Sequence, residues 1–279
     1  MATTRPDRRR LLLVGGGKMG GALLAGWIKT GTIAPAEVIV VEPAADAGRR
    51  LRAAHGIAVA ADYGEVPTDF APDVIVLAVK PQIMDAVLPQ YRARVAPGRV
   101  FLSIAAGKPI GYFERHLGAD AAIVRAMPNT PAQVGRGITV LCANPRVGPA
   151  QRALCASLLE AVGEVAWIEA EADMDAVTAV SGSGPAYVFL LIETLARAGV
   201  KAGLDPTLAA RLALATVSGS GELARQSGEA PEMLRRNVTS PGGTTAAALE
   251  VLMAPGGLDE LMTRAVAAAT RRGRELARG

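Results

Sequence analysis

The chain has few aromatic residues, cysteines and histidines, and each shortage excludes a class of structure or site. Aromatic residues make up only 4 % of its 279 residues, so alanine, leucine and valine must fill most of the core. The two cysteines, Cys142 and Cys155, are too few for a disulfide framework, and their spacing fits neither a redox pair nor a zinc site. We therefore expect no metal, a reducing cytoplasmic compartment, and helices around a buried parallel sheet.

The chain also has little excess charge of one sign, because 30 basic and 26 acidic residues leave a formal net charge of only +4. The one dense basic cluster consists of Arg5, Arg8, Arg9 and Arg10. No aromatic residues are interleaved with it, so we expect residues 1–10 to be flexible and solvated, and neither nucleic acid nor membrane to be a partner. The longest uncharged run, residues 176–192, falls below the ~18 residues that span a bilayer, which predicts a soluble protein.

Short apolar runs alternate with helical patterns up to about Trp167, and only helical patterns follow. The predicted strands are residues 11–14, 38–41, 57–59, 74–79, 100–104, 123–126 and 138–142. The predicted helices are residues 20–30, 46–55, 84–95, 174–202, 206–226, 231–238, 245–253 and 258–276. Strands that alternate with helices predict crossover units and a parallel sheet covered on both faces.

A glycine motif follows the first predicted strand and opens the first predicted helix. Gly15, Gly17 and Gly20 match G-x-G-x-x-G, with Lys18 and Met19 inside the motif. In a dinucleotide site the first glycine permits a tight turn, the second lets the pyrophosphate approach, and the third lets the helix sit close to the sheet. A plain structural turn is the alternative. We predict an α/β chain with a Rossmann-type dinucleotide-binding domain over 1–167 and an all-α dimerisation domain over 168–279.

The end of the second strand bears on the choice of cofactor. Glu42 lies ~20 residues beyond the glycines, where an acid can bind the ribose hydroxyls of NADH and repel the 2′-phosphate of NADPH. Arg49 and Arg50 follow on the next helix and could neutralise that phosphate. Glu42 could also simply face solvent, so the preference between NADPH and NADH stays open.

Obvious acid–base groups are scarce. His55 and His116 both have the surroundings of solvated surface residues, and the chain has no Tyr-x-x-x-Lys pair. Lys80 follows a strand at the sheet edge where ligands bind, and could hold phosphate, hold a carboxylate, or cap the sheet. Asn129 stands between two prolines, either to present its amide or within a simple turn. This shortage favours an acceptor that needs little acid catalysis, such as a C=N bond.

The segment from Ser240 to Thr245 has no charged side chain and contains Gly242 and Gly243. It runs into a predicted helix, so successive backbone N–H groups can converge on a carboxylate or phosphate. The alternative is an ordinary Pro-Gly turn that caps the helix with threonine.

Several segments together resemble the pyrroline-5-carboxylate reductase family, over nearly the whole chain from about Leu11 to Leu276. The segments are residues 14–20, 78–81, 103–107, 125–131, 180–187 and 240–245. The Met-Pro-Asn-Thr-Pro, Ser-Gly-Ser-Gly-Pro-Ala-Tyr and Ser-Pro-Gly-Gly-Thr-Thr stretches are the specific ones. The resemblance implies reduction of 1-pyrroline-5-carboxylate to proline by NADPH or NADH, which is the last step of proline synthesis.

The resemblance also implies roles for individual residues. Beside the glycine motif, Glu42, Lys80 and Asn129 proposed above, the cofactor would contact Ala78, Val79, Pro81, Ala105, Ala106, Gly107 and Asn237. The substrate would contact Gly242, Gly243, Thr244, Thr245, Lys80 and Ser181. Thr245 would act in catalysis, with its hydroxyl near the ring nitrogen as a donor or proton relay.

The resemblance also implies a dimer with interlocked helical domains, sometimes assembled into a larger ring. Family members often carry a small or polar residue where Glu42 and Pro43 stand here. One alternative is a related reductase that acts on another cyclic imine or on a β-hydroxyacid. Acid dehydrogenases of this architecture use a lysine of the helical domain, and Lys201 is the only lysine in the helical part of this chain. A non-catalytic dinucleotide-binding regulator is the other alternative.

Overall fold

One eight-stranded sheet, with the order β3-β2-β1-β4-β5-β6-β7-β8, organises the first part of the chain. The structure is a computed structural model that describes residues 9–278. The strands are β1 (Leu11–Val14), β2 (Val38–Val41), β3 (Ala58–Ala60), β4 (Val74–Leu77), β5 (Val100–Ser103), β6 (Ala122–Met127), β7 (Gly137–Ala143) and β8 (Gly163–Trp167). The helices are α1 (Lys18–Thr30), α2 (Ala45–His55), α3 (Met84–Val87), α4 (Ile110–Leu117), α5 (Pro149–Glu160), α6 (Met174–Val177), α7 (Gly184–Lys201), α8 (Pro206–Ser227), α9 (Pro231–Asn237), α10 (Thr244–Leu252) and α11 (Leu258–Arg278).

Strand β1 lies inside the sheet and is buried on both faces. It pairs in parallel with β2 on one side and with β4 on the other. Leu11 and Leu13 belong to one apolar cluster, whereas Leu12 and Val14 belong to another. Because side chains alternate across a strand, the two clusters cover opposite faces. The predicted α/β class is therefore confirmed.

The prediction of an all-parallel sheet is wrong at one pair, because β7 runs antiparallel to β6. The connection spans only residues 128–136, whereas a crossover between parallel strands needs about a dozen residues or more. Strand β8 again pairs in parallel with β7. Neither β8 nor the preceding helix α5 was predicted.

Two predicted helices are interrupted. In the segment predicted over 84–95, α3 gives way to a 3-10 helix over Leu88–Arg94, with a proline in its first turn. In the segment predicted over 174–202, α6 is followed by a π-helical turn over Thr178–Gly182 before α7 begins. Pro185 lies at the start of α7, and its missing N–H explains why a regular α-helix cannot run through this point.

Contacts between residues divide the chain into two units. Among the described residues, the first comprises 9–182 and 270–278, and the second comprises Ser183–Ala269. The domain limits predicted at 167 and 168 differ from this division and remain a prediction.

The predicted flexible segment 1–10 lies outside the described residues except for Arg9 and Arg10, and these two are not simply solvated. The Arg9 guanidinium donates to Ser157 Oγ at 2.9 Å. The Arg10 guanidinium lies 3.4 Å from Glu37, and its backbone N–H donates to Asp73 at 2.8 Å. Both arginines therefore attach the chain to the edge of the first unit.

The second unit is helical and exposes many apolar side chains. Helices α7 and α8 approach closely, since a Cβ at Gly199 would lie 3.2 Å from that of Ala209. On the outer surface of α7, Phe189 is 58 % exposed. The stretch Glu171–Lys201 is by length and composition apolar enough to cross a membrane, with only 6 % of its most apolar window buried. Apolar surface of this kind is typical of helices that associate with another protein copy or with lipid.

Candidate active site

The glycine loop between β1 and α1 has the backbone geometry of a dinucleotide-binding turn. Gly15 has a φ of +98°, and its N–H donates to Val41 O at 2.9 Å. A Cβ at Gly15 would lie 2.9 Å from Ala78 O, and a Cβ at Gly20 would collide with Gly15 O. Only glycine therefore fits at these two positions, as the motif requires.

Gly17 occupies the N-cap position of α1. A Cβ added there meets no atom of residues 9–278 within 4 Å. The first turn of α1, which includes Lys18 and Met19, therefore presents its backbone N–H groups to open space. Converging N–H groups at a helix N-terminus favour an anionic group such as a pyrophosphate.

A cavity of about 520 Å³ opens beside this loop at the carboxyl ends of β1, β2 and β4. It brings together six of the predicted cofactor residues: Gly15, Gly17, Glu42, Ala78, Val79 and Lys80. Asp62, Tyr63, Gln90 and Tyr91 also line it and were not predicted. They follow β3 and α3, and only the sheet order shows that these elements border the same edge.

The Glu42 carboxylate is fixed by two backbone donors. Gly16 N–H donates to Oε2 at 2.9 Å, and Ala44 N–H donates to Oε1 at 3.0 Å. The side chain is half-buried and lines the cavity, so it does not simply face solvent. Arg49 forms an ion pair with Asp46 on the exposed side of α2.

A second cavity of about 350 Å³ collects other predicted nicotinamide-side residues. Pro81, Ala106 and Gly107 line it together with Gln82, Lys108, Asp175 and Thr178, and with Gly273 and Leu276 of α11. Ala105 precedes these lining residues in the chain and is buried, and its N–H donates to Ser103 Oγ at 3.2 Å. The loops after β4 and β5 therefore meet at this cavity.

His116 is not the solvated surface residue that the sequence suggested. Its Nδ1 lies 3.0 Å from Tyr112 O, and its Nε2 lies 3.3 Å from Asp85 Oδ1. Tyr112 donates to the same carboxylate at 2.8 Å, and this hydrogen bond lowers the pKa of Asp85. Burial, followed by the hydrogen bond to Asp85, raises the pKa of the Tyr112 hydroxyl. These contacts join α3 to α4.

Two further predicted residues use their polar groups in the fold. Asn129 Oδ1 accepts from Ile138 N at 3.0 Å, which fixes the entry to β7. Ser181 Oγ donates to Val177 O at 3.1 Å within the π-helical turn. Asn129 Nδ2 is still available for a ligand, so the geometry is compatible with both the structural and the cofactor role.

The sequence reasoning missed Arg125 and Glu171. The Arg125 guanidinium lies 2.8 Å from Glu171 Oε1, and the same oxygen accepts from Ile110 N at 2.7 Å. This ion pair fixes the start of α4, just after the loop that lines the second cavity. An arginine within an apolar strand could have indicated a buried ion pair, but the sequence does not show its partner, which lies far along the chain.

The predicted substrate loop and Asn237 lie in the second unit. Gly242 has a φ of +70°, and Gly243 is the N-cap of α10. Thr244 and Thr245 begin this helix, and their N–H groups have no acceptor within it, whereas the Gly243 N–H donates to Ser240 O at 3.1 Å. Asn237 ends α9, where its Nδ2 donates to Glu229 at 3.3 Å.

Two family profiles match separate parts of the chain. The family described as pyrroline-5-carboxylate reductase dimerisation matches residues 171–276. The family described as NADP oxidoreductase coenzyme F420-dependent matches residues 10–107. The helical part is therefore related to an oligomerisation domain, and the glycine loop and the first cavity fall within the NADP oxidoreductase match.

Named relatives extend over both parts. A pyrroline-5-carboxylate reductase of Pseudomonas aeruginosa is 41 % identical over 96 % of this chain and 97 % of its own. The reductase of Coxiella burnetii has a TM-score of 0.91 at 35 % identity, with 97 % of this chain and 99 % of that chain covered. The Plasmodium falciparum reductase with NADP bound has a TM-score of 0.81 at 32 % identity, with 98 % and 100 % covered. With this identity over nearly its full length, the chain belongs to the pyrroline-5-carboxylate reductase family.

Proposed function

We infer that this chain reduces 1-pyrroline-5-carboxylate to L-proline with NAD(P)H, which is the last step of proline biosynthesis. The observation that carries this inference is the similarity to reductases along both the sheet-forming and the helical part. The glycine loop and its cavity supply the cofactor site that such a reaction requires.

The residues of the first unit fit a dinucleotide. The open space at Gly17 and the uncapped first turn of α1 suit a pyrophosphate, which backbone N–H groups would hold. The cofactor supplies the hydride when it is bound. We propose that Ala78–Pro81 and Ala105–Gly107, which end β4 and β5, shape the nicotinamide side of the site.

For the substrate, we propose that the loop Gly242–Thr245 binds the carboxylate of the imine through the backbone N–H groups of Thr244 and Thr245, since the Gly243 N–H already donates to Ser240 O. Main-chain donors at a helix N-terminus orient an anion without a cationic side chain. Reduction of a C=N bond also needs one proton at nitrogen, and we assign the hydrogen bond to this atom to the Thr245 hydroxyl. Orientation of the two reactants then supplies most of the rate enhancement.

The test is oxidation of NADH or NADPH by the purified protein in the presence of 1-pyrroline-5-carboxylate. Thr245→Ala should lower turnover about 10- to 150-fold, because a hydrogen bond to a charged group contributes about 1.5–3 kcal/mol. Thr245→Ser keeps the hydroxyl and is the matched control. Full activity of Thr245→Ala would refute the role of this residue, and no turnover by the parent protein would refute the proposed reaction.

The chain oligomerises through its helical part, and we propose a homodimer, with a ring of dimers as the larger assembly. The exposed apolar side chains of the helical unit support this, because a second copy would remove them from water. We further propose a cytoplasmic protein without nucleic-acid or membrane partners. Sedimentation of the purified protein without detergent tests this, and a monomer that requires detergent would contradict it.

A further inference from the structure

The turn after β2 holds the Glu42 carboxylate at the place where the 2′-phosphate of NADPH would bind. Both carboxylate oxygens of Glu42 already accept one backbone hydrogen bond, from Gly16 and Ala44. These bonds hold the carboxylate in one orientation at the cavity wall. Each oxygen of an ionised carboxylate can accept two hydrogen bonds, so each retains capacity for a ribose hydroxyl.

Between Glu42 and α2, neither residue of the turn offers a free backbone N–H to a phosphate beside the carboxylate. Pro43 has no N–H, and the N–H of Ala44 is already bonded to Glu42. A 2′-phosphate beside Glu42 would therefore meet a carboxylate at residues 42–44, and the nearest backbone donors would be those of the first turn of α2. Such a phosphate carries a charge of about −1.5 to −2 at neutral pH, which a neighbouring carboxylate repels.

The other charged side chains at the cavity do not offset the repulsion between Glu42 and a 2′-phosphate. Among the side chains that line it, Glu42 and Asp62 are acidic and Lys80 is basic. Lys80 follows β4, which is separated from β2 by β1. Two strand spacings amount to about 10 Å, so Lys80 belongs to the other end of the cavity. Arg49 is paired with Asp46, and Arg50 lies exposed on α2.

From this arrangement we propose that Glu42 makes the chain selective for NADH over NADPH. The carboxylate accepts the ribose hydroxyls of NADH, and it excludes a 2′-phosphate by charge and by occupying the Ala44 N–H. The proposal rests on the proposed function for its substrate but concerns the adenosine end of the cofactor.

The first test measures the dissociation constants of NADH and NADPH by calorimetry, without substrate. NADH should bind at least about tenfold more tightly than NADPH, and added salt should narrow this ratio because it screens the repulsion. Equal affinities, or tighter binding of NADPH, would overturn the proposal. If NADPH binding is the tighter and Arg50→Met abolishes it, Arg50 rather than Glu42 determines the choice.

The second test uses two variants that each remove one negative charge. Glu42→Gln should reduce the NADPH-to-NADH ratio of dissociation constants to about threefold or less, by weakening NADH and strengthening NADPH binding. Glu164→Gln, at an exposed position of β8, is the matched control and should leave the ratio unchanged. A ratio unaffected by Glu42→Gln, or equally affected by both variants, would overturn the proposal.

Kinetics separate this proposal from the proposed function. Oxidation of NADH by 1-pyrroline-5-carboxylate should have a kcat/KM at least about tenfold above that with NADPH. If turnover is as efficient with NADPH, the selectivity proposal fails and the reaction stands. If both dinucleotides bind with the expected ratio but neither is oxidised, the reaction fails and the selectivity stands.

Discussion

The ion pair between Arg125 and Glu171 should make a large contribution to the stability of the first unit. The two side chains meet at 2.8 Å with only 6 % and 30 % of their surfaces exposed. Because Glu171 also accepts from Ile110 N–H at 2.7 Å, one carboxylate oxygen joins β6, α4 and the segment before α6. Removal of one partner leaves the other charge poorly solvated.

The size of the effect follows from this burial. Removing one partner of a fully buried pair destabilises a protein by about 3–5 kcal/mol. Glu171 is about one-third exposed, so water can partly replace the lost guanidinium, and we expect Arg125→Met to lower the free energy of unfolding by about 2–3 kcal/mol. In the double variant Arg125→Met/Glu171→Gln the loss should be smaller than the sum of the two single losses, by about 1–2 kcal/mol.

Urea denaturation followed by tryptophan fluorescence is a suitable assay, because both tryptophans, Trp27 and Trp167, lie in the first unit. Trp27 is fully buried, and its Nε1 donates to Leu158 O at 2.6 Å, so its emission should change on unfolding. All variants must be compared at one protein concentration, since association with another copy adds to apparent stability.

The matched control is an exposed ion pair of the same unit. Arg146 lies 3.4 Å from Asp120, and their side chains are 56 % and 91 % exposed. Arg146→Met should change the free energy of unfolding by about 0.5 kcal/mol or less. If Arg125→Met is no more destabilising than Arg146→Met, or if its effect and that of Glu171→Gln are additive, the reasoning from burial is refuted.

Two further predictions concern the glycine loop and a buried thiol. Gly20→Ala should weaken dinucleotide binding by about tenfold or more, because its Cβ would collide with a backbone carbonyl of the loop. At the adjacent Gly21 a Cβ makes only an ordinary contact, so Gly21→Ala is the control and should bind the dinucleotide normally. Calorimetric titration measures both variants. Burial raises the pKa of Cys155 from 9.0 to about 12. As pH rises, the thiol ionises first in the unfolded chain, so the stability that the neutral thiol contributes is fully present below pH 9 and is lost towards pH 12. The free energy of unfolding of Cys155→Ala should therefore decline less steeply than that of the parent protein over this range. An identical decline would contradict the raised pKa of Cys155.

The sheet could be read from the sequence where strands are buried on both faces. Residues 11–14, 38–41 and 74–77 are continuous apolar runs, and the structure places all three as adjacent parallel strands. Strand β8 was missed because it is only partly buried, with exposed Glu164 interrupting its apolar residues. The direction of β7 was predictable from the short connection before it, but the alternation of strands and helices suggested a parallel order.

The cofactor loop could be predicted from the sequence because Gly15 and Gly20 each have a local steric reason. The contacts of Glu42 were not readable, since a bond from Gly16 N–H depends on how closely β1 and β2 end together. The same is true of Glu171, whose partner Arg125 is 46 positions away. Local backbone requirements leave a signature in sequence, whereas long-range polar contacts depend on the register of the whole sheet.

Perturbed titratable groups point only to part of the proposed site: burial raises the pKa of Tyr91, which lines the first cavity, but no such group lies in the glycine loop or in Gly242–Thr245. The group with a strong pKa shift in the main apolar cluster is Cys155, and burial alone is its cause. The proposed anion-binding segments, the glycine loop and Gly242–Thr245, use backbone N–H groups and therefore contribute no perturbed side chain. A site of this kind is recognised by glycines at helix N-termini, and its chemistry fits an acceptor bond that is already polarised, since such an acceptor requires orientation more than acid catalysis.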